Sequence, residues 1–114
     1  MDNLKKMSTV LKSLSEENRL RIAFMLLHRP LCVCEINEIL HIALSTISAH
    51  LKNMKYAGII EDEKDGRWVT YRLSNDPEIV DMIKYLYEKV ASDKTICEDI
   101  ENSKKINRYS CYYK

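Results

Sequence analysis

Apolar positions recur at spacings of three and four over most of the chain, and alternate with polar ones over one short stretch. Leu4, Met7, Leu11 and Leu14 draw a single apolar stripe along a first helix. Ser15 is a good helix N-cap, and Glu16 and Glu17 follow where the helix dipole favours acids. A second helix should start there, bury Leu20, Ala23, Phe24 and Leu27, and stop before Pro30. A short third helix is predicted over about 33–40, with Ile36, Ile39 and Leu40 inward. A fourth covers about 43–56, with Leu44, Ile47, Leu51 and Met54 on its buried face and Gly58 as a left-handed cap. Residues 59–63 and 67–73 read as two strands. Asp65-Gly66 between them is a hairpin signal, because both turn positions favour positive φ. Asp76-Pro77 opens a fifth helix with Pro77 at its first position and a stripe of Ile79, Ile83, Leu86 and Val90. A short helix around 95–102 and a mobile, tyrosine-bearing tail are expected to follow.

This order predicts a mainly α fold with a small β-hairpin wing: four helices, two strands, a fifth helix and a C-terminal extension. Residues 33–56 form a helix-turn-helix, 59–73 the wing and 92–114 the extension, all within one domain spanning 1–114. The middle helices and the hairpin can cover only part of the apolar stripes at 1–14 and 77–91. Those two helices are therefore expected to build a homodimer.

Composition narrows the field without choosing a function. A chain of 114 residues, 46% apolar and 31% charged, suits one ordinary globular domain. Its net charge of +1 means that any basic surface must be local. The longest apolar run, 22–27, is too short to span a membrane, and the start lacks the apolar core of a signal peptide. A cytoplasmic location is expected, where thiols stay reduced. The four cysteines are then ligands or redox switches rather than structural disulfides.

In a winged helix-turn-helix the second helix of the pair enters the major groove of double-stranded DNA. Here that helix offers Ser45, Thr46 and Ser48 near its start, with His50 at the edge of its apolar stripe and Lys52 and Lys55 further along. The wing offers Lys64, Arg67 and Arg72 for the flanking backbone. A two-fold dimer would require an inverted-repeat operator with half-sites about one helical turn apart.

Cys32 and Cys34 stand two residues apart at the mouth of the third helix. Thiolates choose soft ions. In a regular helix such residues point roughly 200° apart. For both sulfurs to hold one ion, the chain near Val33 must leave helical geometry or start outside it.

Taken in order, several segments resemble the ArsR/SmtB family of metal-sensing winged-helix repressors. They are Leu14-Ser15-Glu16-Glu17-Asn18-Arg19-Leu20-Arg21-Ile22, Leu31-Cys32-Val33-Cys34-Glu35-Ile36, Ser45-Thr46-Ile47-Ser48-Ala49-His50-Leu51 and Gly66-Arg67-Trp68-Val69-Thr70-Tyr71-Arg72-Leu73. The resemblance implies a dimeric repressor that needs no cofactor to hold its operator and leaves when an inducer binds. His41 stands where the family often has Gly, and can end the third helix because His tolerates positive φ better than most residues. Ala43-Leu44 and Ala49 replace polar residues common in the family.

Cys32 and Cys34 match the family's Cys-x-Cys box. The expected inducer is arsenite or antimonite, with cadmium, lead or bismuth as alternatives. Trivalent arsenic takes three thiolates, and Asn37 occupies the position of the third cysteine of some relatives. Cys111 or Cys97 must then supply the third sulfur, with Cys111 favoured and the partner subunit a possible source. If both joined, four thiolates would suit cadmium, lead or zinc. The family's other metal site needs Asp and His on the fifth helix. Asp81 is present, but no His follows His50, so no such site is expected. A thiol-oxidation trigger is the alternative within the same fold. No Cys-x-x-Cys beside a βαβ pattern is present, so a thiol enzyme is not expected.

Overall fold

The core forms around α2 (Glu17–His28), in which every residue from Ile22 to Leu26 is buried. A helix can bury consecutive residues only when neighbours flank it on several sides. Here α1 (Asn3–Leu14), α4 (Leu44–Tyr56), α5 (Pro77–Val90), α6 (Lys94–Lys105) and the strand β3 (Trp68–Leu73) all pack on it. The burial is broader than the one-sided stripe expected from Leu20, Ala23, Phe24 and Leu27. This computed structural model describes residues 2–112, with Ser110 and Tyr112 as backbone only. The remaining elements are β1 (Leu31–Cys32), α3 (Val33–Leu40), β2 (Ile60–Asp65) and α7 (Arg108–Tyr112).

Local chemistry explains most boundaries. Ser15 does not cap α2. Its hydroxyl donates to the Lys12 carbonyl at 2.7 Å and so closes α1. Glu16 takes the N-cap role, its carboxylate accepting from the Arg19 N–H at 2.9 Å. His41 ends α3 in the left-handed region at φ 55° and ψ 43°, and its N–H donates to the Asn37 carbonyl at 2.8 Å. The Asn37 side-chain amide then donates to the Ile42 carbonyl at 2.7 Å and ties the turn into α4. Gly58, at φ 80°, closes α4: its own N–H bonds the Lys55 carbonyl and the Ile59 N–H bonds that of Met54. Asp76 caps α5, with Pro77 at the first helical position.

The sheet departs from a simple hairpin. Its order is β1-β3-β2, all antiparallel, because Leu31 and Cys32 pair with Tyr71 and Thr70. Asp65 pairs with Trp68, which leaves Gly66 and Arg67 as the turn. Only Gly66 takes a positive φ, so the turn is shifted one residue from Asp65-Gly66.

The C-terminal extension is more ordered than expected. α6 runs twelve residues and returns to α2, burying Ile96 and Ile100. There the Arg21 guanidinium grips the buried Asp99 carboxylate with two bonds of 2.8 and 2.9 Å. α7 packs on α3 in place of the expected mobile tail, whose last two residues lie outside the described range. On α1 the core side is Val10, Ser13 and Leu14, whereas Leu4 and Leu11 face outward at 83% and 51% exposure. Leu44 is also exposed, while Ile47, Leu51 and Met54 are buried as their spacing requires.

Candidate metal centre and nucleic-acid interface

The junction of β1 and α3 solves the problem posed by two cysteines two residues apart. Cys32 is the N-cap of α3 with extended backbone, φ −93° and ψ 169°, while Cys34 is inside the first turn. One residue outside the helix and one inside brings the sulfurs to 3.2 Å. Pairing of Cys32 with Thr70 holds the extended half of this junction. Glu35 holds the other half, its carboxylate accepting from the Cys32 N–H at 2.9 Å in a capping-box arrangement. Glu35 is itself buried and ion-paired with Arg29 at 2.8 Å. The Arg29 guanidinium also donates to the Ser103 and Ile106 carbonyls, at 3.0 and 2.9 Å. The mouth of α3 is thus tied to the end of α6. Burial, reinforced by the Glu35 carboxylate, pushes the Cys32 thiol above its ordinary pKa, against a lowering contribution from the Glu35 backbone N–H.

Cys111 arrives on α7. The sulfurs of Cys32, Cys34 and Cys111 all lie within 4.8 Å of one another, forming a three-sulfur cluster among the described residues. Cys34 and Cys111 are joined as a disulfide, where reduced thiols were expected. The proximity that lets sulfurs share an ion also lets two of them bond. Cys97 is not part of this cluster. It is exposed on α6, with its thiol donating to the Ala91 carbonyl at 3.1 Å. A cleft lined by Cys32, Val33, Cys34, Arg67, Trp68 and Val69 lies between the mouth of α3 and the wing.

α7 also touches the wing. The Arg108 guanidinium pairs with Asp65 at 2.9 Å and lies 4.3 Å from the centre of the Trp68 ring. Tyr109 meets Trp68 edge to face at 4.9 Å, and the Arg67 guanidinium lies 4.8 Å from the same indole.

Among the residues expected to meet DNA, Ser45, Thr46, Ser48 and Lys52 form an exposed face of α4, with Ala49, Asn53 and Tyr56 beside them. Lys64 and Arg67 are exposed on the wing. Lys55 and Arg72, the two further candidate cations, are ion-paired within the protein. Lys55 pairs with Asp62 at 3.0 Å, and Arg72 with Glu61 at 3.0 Å and Glu63 at 3.9 Å. His50 turns inward, its side chain only 12% exposed, with Nδ1 3.1 Å from the Arg19 guanidinium and Nε2 3.7 Å from Glu16. It therefore links α4 to the start of α2.

Sequence reasoning did not single out Arg29, Glu35 or Arg108. Glu35 carried a signal, since it stands three residues after the N-cap, the capping-box spacing with Cys in place of Ser or Thr. Arg29 pairs with Glu35 six residues on, a spacing that belongs to no motif, and its other partners Ser103 and Ile106, like Asp65 and Trp68 for Arg108, lie in distant parts of the chain.

Comparison with known proteins places these features in a family context. Residues 16–62 match the family model described as bacterial regulatory protein, arsR family. The cadmium resistance transcriptional regulatory protein CadC of Listeria innocua is 43% identical over 65 residues, 56% of this chain and 55% of that protein. The chain thus spans only about half the length of that relative. The arsenical resistance operon repressor of Bacillus subtilis is 38% identical over 77 residues, 67% of this chain and 72% of that one. A homodimeric winged helix-turn-helix DNA-binding domain from Mycobacterium bovis superposes with a TM-score of 0.67 at 28% identity, covering 80% of this chain and 82% of that one.

Proposed function

The chain belongs to the ArsR family of winged helix-turn-helix transcriptional regulators, and from that premise we infer that it is a repressor released from its operator by a thiophilic metal or metalloid. The inducer assigned by this proposal is trivalent arsenic or antimony. The observation that carries it is the convergence of three sulfurs, Cys32, Cys34 and Cys111, at one point. Three thiolates suit a pyramidal ion whose lone pair fills the remaining direction. Cys97 stands apart, so the four-sulfur set that cadmium, lead or zinc would favour is not assembled among the described residues of one chain. The third sulfur comes from the same chain, without recourse to a partner subunit.

With the disulfide reduced, arsenous acid condenses with the three thiols. Three As–O bonds and three S–H bonds break, three As–S bonds form, and three waters leave without change of oxidation state. Drawing three sulfurs around one atom reshapes the mouth of α3. That helix leads through the His41 turn directly into α4, so a shift there moves the DNA-reading face. A difference of about 2–3 kcal/mol between the two states changes operator occupancy about a hundredfold. In this account DNA is met by Ser45, Thr46, Ser48 and Lys52 on α4 and by Lys64 and Arg67 on the wing. Lys55, Arg72 and His50 act inside the protein.

The test is anisotropy of a labelled inverted-repeat operator titrated with arsenite, antimonite, cadmium and zinc in reducing buffer. Arsenite and antimonite should release the DNA near one equivalent per chain. Retention of DNA with arsenite, or full inducibility of Cys32→Ser and Cys34→Ser, would overturn the proposal.

A second trigger is favoured by one observation, the Cys34–Cys111 disulfide. Peroxide could form it from two thiols: two S–H bonds and the O–O bond break, one S–S bond forms, and two waters leave. Release of DNA by peroxide but not by arsenite would favour this trigger.

A further inference from the structure

We propose that α7 is a strap that couples the inducer thiols to the wing tip, with Arg108 as its positioning residue. This rests on the assignment of Cys32, Cys34 and Cys111 as the inducer site. Within four residues α7 makes two unrelated connections. Cys111 joins the sulfur cluster at the mouth of α3. Arg108 reaches the hairpin tip, pairing with Asp65 at 2.9 Å and packing over Trp68 at 4.3 Å, while Tyr109 meets the edge of the same ring. Trp68 and Asp65 face each other across the last rung of the hairpin, so both of Arg108's contacts grip the tip itself.

A short segment held at both ends transmits displacement. When a ligand draws Cys111 towards Cys32 and Cys34, Arg108 is brought onto Asp65 and Trp68. The docked strap does two things to a surface meant for DNA. It places α7 beside the wing tip, with Tyr109 55% exposed there. It also completes a stack in which the indole lies against both the Arg67 and Arg108 guanidiniums, holding Arg67 on Trp68 instead of on a phosphate. The arrangement with Cys111 in the cluster is therefore the one that disfavours DNA. The released state reaches the wing by a route separate from the α3–α4 turn. Without inducer, α7 is free to leave the tip.

The experiment compares wild type with Arg108→Ala and Asp65→Asn on two readouts in reducing buffer. The first is arsenite binding, followed by the ultraviolet absorption of the arsenic–thiolate bonds. The second is operator affinity with and without arsenite. Both variants should bind arsenite as wild type does, yet the drop in operator affinity on adding arsenite should shrink about fivefold, a modest share of the coupling. The double variant should lose no more than Arg108→Ala alone. Trp68 is the only tryptophan, so the part of its emission change that depends on Cys111 reports strap docking. Arsenite should change the emission fully in wild type and in Cys97→Ser, and much less in Cys111→Ser, where arsenic can still meet Cys32 and Cys34 in the cleft beside the indole. Unchanged release by Arg108→Ala, or a Trp68 response in Cys111→Ser equal to wild type, would overturn the strap. Failure of wild type to bind arsenite at all would instead remove the site on which it rests.

Discussion

The sulfurs of Cys32 and Cys34 lie 3.2 Å apart although a single residue separates them in the chain. No regular helix allows this. It follows from where α3 begins: Cys32 is extended and paired to Thr70, and Cys34 is helical. The proposed ligand site is therefore built into a helix start, the part of a helix whose backbone is least committed to internal hydrogen bonds. This is a reasonable place for a small atom to act on a larger element.

The first consequence concerns proton balance. Arsenous acid enters as a neutral acid and leaves its oxygens as water, so its capture by three thiols releases no net proton. Cadmium ion displaces one proton from each thiol that is still protonated. Cadmium affinity should therefore rise with pH by up to about tenfold per unit for each such thiol, while arsenite affinity stays nearly flat below the thiol pKa values. Isothermal titration in buffers of different ionisation enthalpy checks this. Equal proton release for the two ligands would contradict a three-thiol condensation.

A second consequence concerns assembly. Leu4 and Leu11 leave an apolar strip on α1 that the chain itself does not cover. If α1 forms the dimer face, Leu11→Glu should shift sedimentation towards a monomer and weaken operator binding at least tenfold, since half-sites then bind singly. The melting temperature should change little, because Leu11 is 51% exposed. A Leu11→Glu dimer of unchanged stability would remove α1 from the interface.

His41 provides a third. It holds a left-handed conformation between α3 and α4, which a β-branched side chain tolerates poorly. His41→Val should cost about 1–2 kcal/mol in chemical denaturation, whereas His41→Gly should be close to neutral because relief of strain offsets added freedom in the unfolded chain. A neutral His41→Val would show that the turn can rearrange.

Much of this architecture was legible in local chemistry. The limits of α3, the Pro77 start of α5, the Gly58 cap and the His41 terminator all follow from residues acting on their near neighbours. What was hidden depends on distant partners. β1 is two residues long and exists because Tyr71 and Thr70 offer an edge. α7 takes its place on α3 and the wing through Arg108 and Tyr109 meeting Trp68, some forty residues earlier. Leu4 and Leu11 satisfy the same spacing rule as Leu14, and only packing reveals that Val10 turns inward in their place. The Cys-x-Cys pair pointed to a soft ligand, but which further sulfur lies beside it could not be read from spacing, since neither Cys97 nor Cys111 is local to it.

The account stands on three sulfurs meeting at one atom. The most direct measurement is the arsenic X-ray absorption spectrum of the reduced, arsenite-loaded protein, recorded for wild type, Cys97→Ser and Cys111→Ser. Three sulfur neighbours and no oxygen are expected for wild type and Cys97→Ser, with one sulfur replaced by oxygen in Cys111→Ser. Three sulfurs persisting in Cys111→Ser, or lost in Cys97→Ser, would contradict it.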